Sequence, residues 1–174
     1  MIENNARRVA KFSKVSKEQF VKDWIATFGD TEGDAIRVYD DIKLPVRGTK
    51  YSAGYDFFAP CHITLKPGET VKIPTGIRAR MLPEYFLAIV PRSGLGFKYR
   101  LQLDNTLGVI DADYFYSNNE GHIFCKITND GKEDKVVSVN CGDGFCQGIF
   151  LPYYLTVDDD ADAVRNGGFG STTK

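Results

Sequence analysis

Histidine is scarce in this chain, with only His62 and His122 among 174 residues. The four cysteines, Cys61, Cys125, Cys141 and Cys146, form no CxxC pair. So thin a supply of paired ligands excludes the usual structural zinc site. Charge of one sign is not in excess either, the formal net charge being −1. That argues against a nucleic-acid groove or a polybasic membrane face, and an anionic partner must be held by a few placed cations. No apolar run is long enough to span a bilayer. The opening stretch MIENNARRVAKFSKV has basic residues but no apolar block behind them, so it does not read as a secretory signal. The expectation is a cytoplasmic protein with no nucleic-acid or membrane partner. Its cysteines would be reduced, and Cys61 and Cys125, in or beside strand-like sequence, would act as small hydrophobes. There is no GxxxxGK[ST] loop of the Walker kind and no repeat of 20–50 residues.

What is present is an ordinary globular composition, 43% hydrophobic and 26% charged, which excludes wholesale disorder. The length suits one domain with a real core. One helix is signalled at VSKEQFVKDWIATFGD. Ser16 and Gln19 form a capping-box pattern, Phe20, Val21, Trp24, Ile25 and Phe28 share a stripe, and Gly29 supplies a stop. The stripe would dock on the main body or on a neighbouring subunit. After Asp34 short β-rich runs follow one another: AIRVY, TVKIPTGIRARM, YFLAIV, HIFCKITN, KVVSVN and GFCQGIFLPYYL. Pro-Gly, Asn-Asp-Gly and Cys-Gly-Asp-Gly turns separate them, which predicts an all-β sandwich or barrel-like domain. The acidic TVDDDADAV stretch from Thr156 to Val164 reads as a solvated linker. Behind it stands RNGGFGSTTK. Its glycines suit a backbone that folds sharply against a ligand, while Arg165, Phe169, Ser171 and Thr172 offer a cation, a ring and hydroxyls. A plain disordered tail is the competing reading of those ten residues.

Four further stretches carry candidate chemistry. In SAGYDFFAP, small residues precede Asp56, which alternatively only caps a strand entry. In PRSGLGFK, Arg92, Ser93 and Gly94 follow an apolar run and combine an Arg fork, a hydroxyl and free N–H groups into an anion site, or else form a plain turn. In LDNTLGVIDADYF, Asn105, Gly108, Val109 and Ile110 read as a short hairpin whose backbone offers a base-pairing edge. An Asn amide and the acids Asp111 and Asp113 accompany it, ahead of Tyr114. One carboxylate there could deprotonate a water; the alternative is an acidic β-turn. In GDGFCQGIF, Gln147 is a polar residue inside an apolar run, satisfied by backbone or by a ligand.

Taken in order, SAGYDFF, PRSG, GVIDADY, the Gly-Asp…Gln stretch and the terminal GGFGST resemble the five motifs of the homotrimeric dUTPase family. The resemblance runs from about Ile36 to the C-terminus. It implies a distorted jelly roll (β-clip) at residues 35–156, with a helical extension at 1–34 and a linker and lid arm at 157–174. It also implies hydrolysis of dUTP to dUMP and pyrophosphate with Mg²⁺, in a homotrimer with shared active sites. Carried over, Asp111 would activate the water that attacks the α-phosphorus, and Tyr114 would lie under the deoxyribose and exclude a 2′-OH. Asn105 and the backbone of Gly108, Val109 and Ile110 would read uracil. Arg92, Ser93, Gly94 and Gln147 would hold phosphates, and Asp56 would bind Mg²⁺ through water. Phe169, with Gly170 beside it, would stack on uracil, and Arg165 and Ser171 would reach the γ-phosphate.

The chain departs from the family pattern in three places. DYFYSNNEGHI stands where many members read DYRG, Gly144 stands where many carry an Arg, and Arg165 is one residue closer to Phe169 than in RGxGGFG. Two rival readings share the fold. A dCTP deaminase, or a bifunctional enzyme, needs a general acid/base Glu where this chain has Lys126. A non-catalytic nucleotide-sensing module would have no use for intact Asp111, Tyr114 and terminal arm.

Overall fold

The computed structural model describes residues 6–163 and Arg165. The chain opens with β1 (Ala10–Lys14), α1 (Lys17–Phe28) and α2 (Glu32–Asp41). It continues through β2 (Val46–Arg47), β3 (Tyr55–Phe58), β4 (Ile63–Leu65), β5 (Thr70–Pro74), β6 (Ile77–Met81) and β7 (Tyr85–Pro91). Helix α3 (Ser93–Tyr99) precedes β8 (Leu101–Leu103), β9 (Gly108–Ile110) and a 3-10 turn at Ala112–Tyr116. Strands β10 (Phe124–Asn129), β11 (Val137–Val139) and β12 (Gly144–Pro152) complete the body.

Helix α1 forms where its capping sequence directs. Ser16 accepts the Gln19 N–H at 3.1 Å, and left-handed Gly29 donates its N–H to the Ile25 carbonyl at 2.8 Å. The reciprocal half of the expected capping box is not made by Gln19, whose amide turns to Asp23 at 2.8 Å. The Ser16 N–H goes instead to Glu120, 104 residues away.

The run AIRVY, expected as a strand, lies within α2. Thr31 caps this helix by accepting the Asp34 N–H at 3.2 Å. Ala35, Val38, Tyr39 and Ile42 then fall at helical spacing and pack with Val15, Phe20 and Trp24 of the first helical region. The boundary expected at residue 34 therefore falls inside a helix. Nor is the preceding segment separate from the body. Strand β1 pairs with β6, and Phe12 packs against Tyr55, Phe57 and Phe150.

The β body is all antiparallel in its strand pairs. A five-stranded sheet of order β2-β3-β12-β7-β9 faces a smaller β5-β10-β8 sheet, with β4-β11 and β1-β6 as two-stranded additions. Inward residues of every sheet, among them Phe57, Ile73, Leu87, Ile110, Ile127 and Phe145, meet in one core. Cys125 and Cys146 are buried in it as hydrophobes. Residues 156–163 carry no strand or helix and are exposed.

Candidate active site

The expected site residues fall into two groups on the five-stranded sheet. The first gathers where β7 ends. Pro91 closes the strand and Arg92 caps α3, its N–H bonded to the Phe145 carbonyl at 3.1 Å. Ser93 and Gly94 follow, both exposed. The Arg92 Nε lies 3.4 Å from Asp56 Oδ1 on β3. Gln147 stands between them on β12, in register with Asp56 on one side and Val90 on the other.

Two glycines explain how these side chains fit. A Cβ on Gly144 would stand 3.0 Å from the Arg92 Cδ, so the space beside this glycine is the space that Arg92 itself fills. A Cβ on Gly54 would stand 2.4 Å from the Gln147 Oε1. The bare backbone of Gly54 is thus what the Gln147 amide rests against. Together the group presents a guanidinium, a hydroxyl, an amide and a carboxylate at one sheet end, which suits phosphate and a hydrated cation.

The second group surrounds β9. This strand is the outermost of its sheet and pairs only with β7 among the described residues. Its other edge carries backbone groups with no partner strand, a recognition surface for a planar ring with donors and acceptors. The expected hairpin is corrected here. Strands β8 and β9 flank a tight turn at Asn105, with Thr106 at φ 63°, but they do not pair with each other. The former joins β10 and the latter β7, because the chain crosses at this turn from one sheet to the other.

Asp111 follows β9 in extended conformation, and its carboxylate is 46% exposed. Three residues on, Tyr114 is buried, and its hydroxyl donates to the His122 carbonyl at 2.7 Å. Burial pushes its phenol above the ordinary range. Arg165 is brought to this group: its guanidinium donates to Asp111 and, at 2.9 Å, to Asp113, and lies 6.0 Å over the Tyr114 ring. Asp113 was visible in the sequence only as the second acid of GVIDADY, and its pairing with Arg165 was not legible there. The arm residues Phe169, Gly170 and Ser171 lie outside the described residues.

The two groups are far apart within one chain. Ile110 stands opposite Leu87, so the next position, Asp111, extends toward Phe86. Arg92 is six residues further along that line, roughly 20 Å at about 3.3 Å per residue.

Sequence reasoning also missed the support beneath the second group. Glu120 and His122, in the stretch where the family pattern is broken, reach back to Ser16 and Asp23 of the N-terminal helix. No signal in the sequence pointed to this, because the Ser16–Gln19 pattern reads there as a complete capping box. Lys126, the residue at the deaminase position, pairs with Asp104 at 2.7 Å, which holds the Asp104 carboxyl below its usual range.

Comparison with known proteins points to one family. The dUTPase family model matches residues 40–173. A deoxyuridine 5'-triphosphate nucleotidohydrolase of Lactococcus lactis is 40% identical over 134 residues, 75% of this chain and 88% of that protein. The crystal structure of a dUTPase from Streptococcus mutans superposes with a TM-score of 0.57 at 38% identity, covering 65% of this chain and 88% of that one. A mutant dUTPase from phage phi11 of S. aureus, described with a structural Mg(II) ion, shares the fold. Its TM-score is 0.56 at 22% identity, covering 70% of this chain and 90% of that one.

Proposed function

This chain belongs to the dUTPase family, and from that premise we propose how its residues hydrolyse dUTP to dUMP and pyrophosphate. The observation that carries the reading is the sequence of three features within seven residues: the free edge of β9, the exposed Asp111 carboxylate and the buried Tyr114 ring. The backbone of Gly108, Val109 and Ile110, with the Asn105 amide, pairs with uracil. Close approach of this edge leaves no room for a 5-methyl group. Tyr114 forms the floor under the deoxyribose. Asp111 takes a proton from the water that attacks the α-phosphorus, which requires an in-line approach and neutralised phosphate oxygens.

Arg92, Ser93, Gly94 and Gln147 hold the phosphates. Asp56 fits a Mg²⁺ bound through water, since a magnesium ion on a triphosphate keeps several waters and asks for only one or two carboxylates. When bound, the ion neutralises phosphate charge. Among the described residues no cluster of His, Cys, Asp or Glu would hold it by itself.

One chain does not bring both groups to one α-phosphorus across roughly 20 Å, when reacting atoms must come within about 3–3.5 Å. The reading is therefore a homotrimer with shared sites, Asp111 from one subunit and Arg92 from another. Exposed Phe97, Val109, Tyr116, Tyr154 and Leu155 support it as apolar surface suited to subunit contact. Arg165, which neutralises Asp111 and Asp113 here, leaves them for the γ-phosphate when substrate binds and so releases the base. Phe169 stacks on the uracil, and Ser171 joins Arg165 at the γ-phosphate. Lys126, held by Asp104, offers no general base for deamination.

The test is pyrophosphate release from dUTP, dCTP, dTTP and UTP side by side, with and without Mg²⁺. Release from dUTP alone, dependent on Mg²⁺, is expected. Comparable release from dTTP or UTP would overturn the base and sugar assignments, and deamination of dCTP would overturn the reaction.

A further inference from the structure

The family match begins at residue 40, yet the helix ahead of it is joined to the loop behind Tyr114. The junction is His122. Its ring is wholly buried, and its Nε2 accepts the Gly76 N–H at 2.8 Å. That leaves the proton on Nδ1, which donates to Asp23 Oδ2 of α1 at 2.5 Å. The backbone of the same residue holds the tyrosine, since the His122 carbonyl is the acceptor of the Tyr114 hydroxyl. Asn119 donates to that hydroxyl at 2.8 Å, closing the network.

A second tie runs beside the first. Glu120 accepts the Ser16 N–H at 2.8 Å and the Ser16 hydroxyl at 2.6 Å, with Arg78 at 3.5 Å from the same carboxylate. The loop between these ties is folded tightly onto the tyrosine's own turn. Gly121 has φ 71°, and a Cβ there would stand 2.7 Å from the Phe115 Cα and 2.8 Å from the Tyr114 carbonyl oxygen. No slack separates loop from turn, so a shift of His122 is passed to Tyr114.

We propose that helix α1, acting through Asp23 and His122, sets the position of Tyr114 and thereby the deoxyribose-over-ribose selectivity of this enzyme. Asp23 and His122 are positioning residues, because neither touches the substrate and both act through the tyrosine. The inference rests on the reading of Tyr114 as the sugar floor. Steric exclusion of one hydroxyl depends on where the ring sits, and small misplacements from remote changes have large kinetic effects. Asp111, ahead of the turn, is held by β9 and not by α1. The brace therefore acts on sugar choice and leaves the water-activating carboxylate in place.

The experiment measures kcat and KM for dUTP and for UTP in the full-length protein, together with its melting temperature. The variants are Asp23→Ala, Asp23→Asn, Val21→Ala and Tyr114→Ala. Asp23→Ala should shift the UTP-to-dUTP ratio of kcat/KM toward UTP by about tenfold, with kcat for dUTP nearly kept. Asp23→Asn retains an acceptor for the His122 N–H and should recover most of the selectivity. Val21→Ala trims the same helix without touching the tie, so it should lower the melting temperature and leave the ratio alone. An unmoved ratio in Asp23→Ala, beside a moved ratio in Tyr114→Ala, overturns the inference. An unmoved ratio in Tyr114→Ala overturns the reading of the sugar floor and this inference with it. If Asp23→Ala does not fold, Asp23→Ser decides, since its shorter side chain no longer reaches the His122 N–H: a ratio between wild type and Tyr114→Ala supports the brace, and a wild-type ratio overturns it.

Discussion

At the scale of single residues, the contact between Asp111 and Arg165 is the one on which the proposed chemistry turns. On the proposed reading, the base is neutralised by an arginine in the absence of substrate and freed when phosphate competes for the guanidinium. Asp111→Asn keeps the size of the side chain but removes the base. dUTP binding should persist, while turnover falls by about a hundredfold or more. Steady-state kinetics with a separate binding measurement checks this, and near-normal turnover would move the base elsewhere. Gly144 shows how a missing residue is read at this scale. The absent arginine looks like a defect in the sequence, but in the fold the space beside this glycine is taken by Arg92.

At the scale of elements, α1 is fastened to the loop before β10 by two carboxylates. Burial alone would raise the Asp23 carboxyl, but hydrogen bonds from His122 and Gln19 outweigh it and hold it below its ordinary value. Glu120 follows the same pattern, its bonds from Ser16 outweighing burial. A carboxylate depressed in the folded state stabilises above its unfolded pKa and loses that contribution as pH falls through the lower folded value. The ties are therefore complete above about pH 4–4.5 and weaken below it. Melting temperatures measured down that range should fall less steeply for an Asp23→Asn, Glu120→Gln double variant than for the natural chain. Equal slopes would show that these groups do not couple folding to pH. Helix α2 carries the lesson of this scale. AIRVY is β-branched enough to read as a strand, and only the Thr31 cap and the packing of Ala35, Val38 and Tyr39 on α1 decide for helix.

For the whole molecule, the separation of Asp111 from Arg92 makes complementation the decisive observation. Neither an Asp111→Asn chain nor an Arg92→Ala chain should be active alone. Mixed after dissociation, they should recover activity, because some shared sites then receive Asp111 from one parent and Arg92 from the other. No recovery after proven subunit exchange would mean that each site is built by one chain. The sequence by itself determined the family, the β-rich body, the first helix and the residue types of the site. PRSG and GVIDADY are short contiguous runs whose chemistry is set by neighbours along the chain. Only the tertiary structure decided that β8 and β9 part into different sheets, that the expected site splits into two groups, and that the N-terminal helix braces Tyr114. Each of these depends on contacts between distant positions, such as Asp23 with His122 across 99 residues. Periodicity and capping rules act within a few residues, so a partner that far along the chain leaves no local mark of its own.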